Sequence, residues 1–156
     1  MSHSSNIQVT YRQALPEDAE QCIVLRGQTR ENAFSREKLG ELGITAQTWG
    51  EGIAEGAFSG HVACMDEKMV GYCFGDSESG EIVVLALLPD YERLGIGKQL
   101  LQLVVEDFEQ QGFKKLFLSC ASDPGVRSYG FYRHLGWQPT EKHDEAGDEI
   151  LELQLD

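Results

Sequence analysis

Residues 81–112 constrain the chain more than any other stretch. EIVVLALL (81–88) is continuously apolar after its first residue and β-branched at its start. Such a run reads as a strand buried on both faces. Pro89 follows it, and then Gly95, Ile96 and Gly97 lie between Arg93 and Lys98. From there Leu100, Leu101, Val104 and Phe108 recur at helical spacing until Gly112. A strand therefore passes into a helix through two glycines flanked by cations. The first N–H groups of a helix have no partner within it, and its dipole makes that end positive. Glycine lets the backbone approach an anion closely. RLGIGK (93–98) is accordingly a candidate phosphate-holding turn.

Two familiar phosphate motifs do not fit. A P-loop requires Gly-x-x-x-x-Gly-Lys-Ser/Thr, and Glu92 and Gln99 occupy its first and last positions. A dinucleotide fingerprint requires a third glycine where Leu100 stands.

The remaining chain supplies a single domain over 1–156, without internal repeats or a linker. IQVTYRQA (7–14) reads as a first strand, and LPEDAEQCIVLRGQT (15–29) as a helix opened by Pro16, Glu17 and Asp18. Ser35 and Thr45 are N-cap candidates for two short helices. GHVACMDEKMVGYCFGD (60–76) reads as a hairpin about Asp66, Glu67 and Lys68. Symmetric pairing about Glu67 sets Cys64 opposite Val70 and Cys73 opposite His61, which separates the two thiols. KKLFLSC (114–120) is a further strand, GVRSYGFYRHLGW (125–137) a helix ending at Gly136, and WQPTEKH and EILELQL a closing pair of strands. The fold class is α/β (α+β): a central mixed, mostly antiparallel sheet flanked by helices.

The charge balance is acidic, with 26 Asp and Glu against 13 Lys and Arg and a net charge of −13. That disfavours nucleic acid, which needs a basic surface, and anionic membrane. It is compatible with a cationic substrate, or serves only to keep the protein soluble. Cys22, Cys64, Cys73 and Cys120 form no Cys-x-x-Cys pair, and neither they nor the histidines have metal-site spacing. No metal, a cytoplasmic location and reduced thiols are expected.

The stretch LALLPDYERLGIGKQLL (85–101) resembles the acetyl-CoA signature of the GNAT superfamily of N-acetyltransferases, and FYRHLGW (131–137) is similar to a second, late motif of the same family. Two features depart from the family pattern: Glu92 stands where Gln or Arg is usual, and Gly125 where many members carry Asn. The resemblance implies a GNAT-like fold that binds acetyl-CoA. The backbone of Arg93, Leu94, Gly95, Ile96, Gly97 and Lys98 would hold the pyrophosphate, and the backbone of Leu85, Ala86 and Leu87 would pair with the pantetheine arm.

The same resemblance implies direct attack of a primary amine on the thioester in a ternary complex, with Tyr132 as the acid for the leaving thiolate. Glu81 aligns with a glutamate base of histone-acetylating members, with Asp123 or a water relay as competitors. Cys120 reads as core rather than nucleophile. Trp49, Phe34 and Phe58 lie where the family shapes its acceptor pocket, or anchor the core. The acceptor is a small cationic amine or a protein amine, and a homodimer is possible. The alternative is a catalytically silent acyl-CoA-binding module on the same fold.

Overall fold

The computed structural model describes residues 8–29, 35–125 and 127–155. Strand β1 (Thr10–Gln13) leads through a 3-10 turn at Pro16–Asp18 into α1 (Ala19–Arg26). Asp18 organises this entry. Its carboxylate accepts both Arg12 guanidinium nitrogens, at 2.8 and 2.9 Å, and the Leu15 N–H at 2.7 Å. One buried carboxylate thus ties strand, turn and helix together, and the Arg12 and Leu15 hydrogen bonds outweigh its burial, so its pKa lies below the ordinary value. Helices α2 (Arg36–Glu41) and α3 (Ala46–Ala54) begin at Ser35 and Thr45, each accepting a backbone N–H three residues on, as their sequences predict.

Strands β2 (Phe58–Met65) and β3 (Lys68–Asp76) form the expected hairpin. Cys73 faces His61, but Cys64 faces Met69 rather than Val70. The turn is two residues long, Asp66 and Glu67, both with positive φ, and a bulge between Ala63 and Cys64 restores the register farther along. All four cysteines are free.

Strand β4 (Ile82–Leu87) extends this sheet in the order β1-β2-β3-β4. After α4 (Ile96–Gln110) come β5 (Lys115–Cys120), α5 (Arg127–His134), β6 (Gln138–His143) and β7 (Glu149–Gln154). The last three strands make a second sheet in the order β5-β7-β6. Where one continuous sheet was expected, the two portions meet through a single parallel bridge between Glu81 and Phe117. Both faces of the larger portion are covered. Leu100, Val104 and Phe108 of α4 pack with Ala63, Val70 and Cys73 on one face. Cys22 and Leu25 of α1 pack with Val62, Tyr72 and Phe74 on the other, where Trp49 stacks on Phe58 at 4.2 Å between ring centroids. His61 of β2 and Asp107 of α4 share a hydrogen bond of 2.7 Å across the first layer.

Candidate functional site: a split between two strands

Beyond the Glu81–Phe117 bridge, β4 and β5 do not pair. The separation opens a cleft of about 470 Å³. Its floor is β4, from Ile82 to Leu87, and its far wall is Leu118, Ser119, Cys120 and Ala121. This corrects the reading of β4 as buried on both faces. Val83 is 41% exposed, and Leu85 and Leu87 are half-buried. The apolar run covers a cleft rather than a second protein layer.

The backbone of β4 has a defined polarity. Leu88 donates to the Val70 carbonyl, and β4 pairs with β3 in steps of two, Ala86 with Tyr72 and Val84 with Phe74. Alternation along an antiparallel ladder therefore commits the Ala86 backbone to β3, which corrects the expectation that it pairs with a pantetheine arm, and turns the N–H and C=O of Leu85 and Leu87 to the open edge. Farther down, Val84 opposes Phe74 and Ile82 opposes Gly75, so Val83 is the extra residue of a bulge.

The start of α4 closes one end of the cleft. Glu92, Arg93, Gly95, Gly97 and Lys98 all line it. Gly95 is the N-cap residue at φ 82°, a left-handed conformation that favours glycine. Gln99 is the residue whose N–H closes onto the Gly95 carbonyl, leaving the amides before it at the open helix end. Gly97 sits where an added Cβ would come 3.2 Å from Leu87 Cδ1 and 3.6 Å from Phe131 Cζ, so a side chain there presses on the cleft wall. The Leu94 side chain is 62% exposed outside the cleft and that of Ile96 is buried in the core, so it is their backbone that can serve a ligand.

Helix α5 brings Ser128, Phe131 and Tyr132 to the cleft. Tyr132 is 9% exposed, with its ring edge-on to Phe131 and Trp137 at 5.0 and 6.1 Å. Burial pushes its phenol pKa upward, with Cys73 and Cys120 adding to the shift, so the group stays protonated at neutral pH. The helix is held by Arg133, which bonds Glu149, donates to the Tyr129 carbonyl at 3.0 Å and lies over the Tyr129 ring at 3.7 Å. The Cys120 thiol is likewise pushed up by burial, which disfavours the nucleophilic thiolate.

Glu81 stands at the closed end of the split, at the bridge itself and one residue below the floor. Its carboxyl is raised by desolvation and by the charges of Asp76 and Asp144. Asp123 accepts the Gly125 N–H at 2.9 Å and so shapes its own turn. Asp148, from the loop before β7, lines the cleft directly and carries no signal in the sequence beyond an acidic loop.

A second cavity of about 190 Å³ adjoins the first and shares Arg26, Val83 and Val84 with it. Its other walls come from Cys22, Ile23, Leu39, Ile44, Trp49 and Tyr72. Trp49 thus serves both as core anchor and as wall; Phe58 belongs to the core stack, and Phe34 lies outside the described residues.

The pattern of the acetyltransferase (GNAT) family matches residues 23–137, and the chain belongs to that family. Among solved structures, the PaiA N-acetyltransferase of Thermoplasma acidophilum, in complex with coenzyme A, superposes with a TM-score of 0.80 at 20% identity, over 95% of this chain and 99% of its own. YncA of Salmonella typhimurium, solved with its cofactor acetyl-CoA, gives 0.72 at 16% identity, over 96% and 95%. These likenesses establish the fold. By sequence, the amino-acid acetyltransferase of Edwardsiella ictaluri is 34% identical over 70 residues, which are 45% of this chain and 15% of that protein. The chain therefore spans a small part of that relative. No helix among the described residues is long and apolar enough to cross a membrane.

Proposed function

We propose that this protein moves an acetyl group from acetyl-CoA to a primary amine within a ternary complex. The observation that carries the reading is the split itself, an open strand edge that ends at a cationic, glycine-lined helix N-terminus. The donor set fits the ligand. Amides of residues 95–98 with Arg93 and Lys98 suit a pyrophosphate, and the free backbone groups of Leu85 and Leu87 suit the amides of a pantetheine arm, which would add as a strand. Glu92 puts a negative charge at the same end and lowers affinity without removing the backbone donors.

Acetyl-CoA supplies an activated acyl carbon. The neutral amine forms the new C–N bond as the C–S bond breaks, and the thiolate takes a proton. Tyr132 gives that proton in this reading, supported by its position in the cleft lining and its protonated phenol. The amine loses its own proton to Glu81 through water, and the raised Glu81 carboxyl is a stronger base than an ordinary one. Asp148 is the second candidate, because it reaches the cleft directly.

A thiol-release assay with acetyl-CoA and a panel of primary amines, with products checked by mass, tests the transfer. Acetylated amine and free thiol in equal amounts are expected. Thiol release without acetylated amine would show hydrolysis instead. The base is tested by pH profiles. A carboxylate base must be ionised, so kcat rises with pH through a limb set above the ordinary glutamate range. Glu81→Gln should lower kcat about a hundredfold and flatten that limb. The same result in Asp148→Asn, with Glu81→Gln active, would move the role to Asp148.

A further inference from the structure

The second cavity has a chemistry at odds with the acidic surface of the chain. Among the described residues that line it, Arg26 alone is charged, and it is cationic. The rest are apolar or aromatic, with Cys22 and Tyr72 buried in the wall and both pushed upward in pKa by that burial, hence neutral. No carboxylate among the described residues lines the space. An ammonium group placed inside would lose water and meet no counter-charge, which is strongly unfavourable. A polyamine or aminoglycoside, with several such groups, is poorly served here despite the net charge of −13.

Size points the same way. An apolar cavity of about 150 Å³ is enough to hold a benzene molecule, and this one measures about 190 Å³. It accommodates one ring or one branched aliphatic group. It shares Arg26, Val83 and Val84 with the strand-edge cleft, so the two spaces meet at the β4 bulge residue Val83. A ligand filling it with carbon would leave its nitrogen at that junction, next to the floor along which the acyl donor lies. Apolar surroundings also disfavour the protonated amine and so favour the form that attacks.

We infer that the acceptor is a primary amine carried on an apolar group of about ring size, seated between Trp49, Ile44, Leu39 and Val83, and not a polycation. The inference rests on the acetyl-transfer reading and names the substrate class of that site.

The test uses the full chain, saturated with coenzyme A, titrated with 2-phenylethylamine and separately with spermidine and ethylamine. The expected result is saturable binding of 2-phenylethylamine at least about tenfold tighter than ethylamine, the gain available from burying one ring, with spermidine no better than ethylamine. Ile44 lines the cavity and is only half-buried, so Ile44→Trp should fill the space while keeping the fold. That variant should lose the preference and keep coenzyme A affinity within twofold. Tightest binding by spermidine, or an unchanged preference in folded Ile44→Trp, overturns the inference and leaves acetyl transfer standing. Failure of coenzyme A itself to bind strikes the transfer reading instead, and is read in the same samples before any amine is added.

Discussion

The two sides of β4 are built in opposite ways. The side that meets α4 comes largely from one run of chain, residues 82–98, and it is cationic and rich in backbone donors. The side that meets α1 and α3 is assembled from separate stretches around Cys22, Leu39, Trp49, Tyr72 and Val83, and among its described residues it is apolar but for Arg26. The first is a motif and the second is a product of packing. A group common to many acceptors' partner, a phosphate-bearing donor, can be held by local backbone geometry. An acceptor pocket has no such local rule, because its shape depends on how distant helices settle on the sheet.

The largest expected effect falls on the motif side. Gly97→Glu places a carboxylate at the helix end and a side chain against Leu87, and should weaken acetyl-CoA binding by at least about a hundredfold. A calorimetric titration checks this, with thermal unfolding to confirm the fold. Undiminished affinity would break the assignment of the turn. Next, Tyr132→Phe should lower kcat about a hundredfold and leave acetyl-CoA affinity within twofold, since the change removes a proton donor and keeps the ring packing. Equal turnover would leave Tyr132 as a wall residue only.

The packing side has its own anchor in Asp18. Its pKa is lowered in the fold, so its stabilisation is present above the unfolded aspartate value and is lost as pH falls through the folded one. Asp18→Asn should cost about 1–3 kcal/mol at neutral pH and flatten the loss of stability towards acid, as urea midpoints from pH 7 to 2 would show. An unaltered acid profile would contradict the role given to the Arg12–Asp18 pair. The smallest effect is Lys98→Ala. This exposed cation should contribute only about threefold to acetyl-CoA affinity, and the difference should shrink with added salt.

The same contrast explains what the sequence disclosed. The turn at 93–98 was legible because strand, glycines and helix follow one another in the chain. Ser35 and Thr45 were legible as caps for the same local reason. The exposure of β4 was not, because a continuous apolar run reads alike whether protein or ligand covers it. The offset of Cys64 was hidden by a bulge and by a two-residue turn of non-glycine residues at positive φ. Leu94 and Ile96 were legible as part of the turn, but the outward and inward directions of their side chains depend on how α4 docks. Asp148 and Arg26 reach the cleft only through tertiary placement, and no spacing in the sequence signals either.

The central claim is that the split between β4 and β5 holds an acyl-CoA. Titration of the purified chain with acetyl-CoA in a calorimeter tests it most directly. The account predicts one saturable site per chain, lost in Gly97→Glu protein that thermal unfolding shows to be folded. No binding by folded wild-type protein, or binding indifferent to Gly97→Glu, would contradict it.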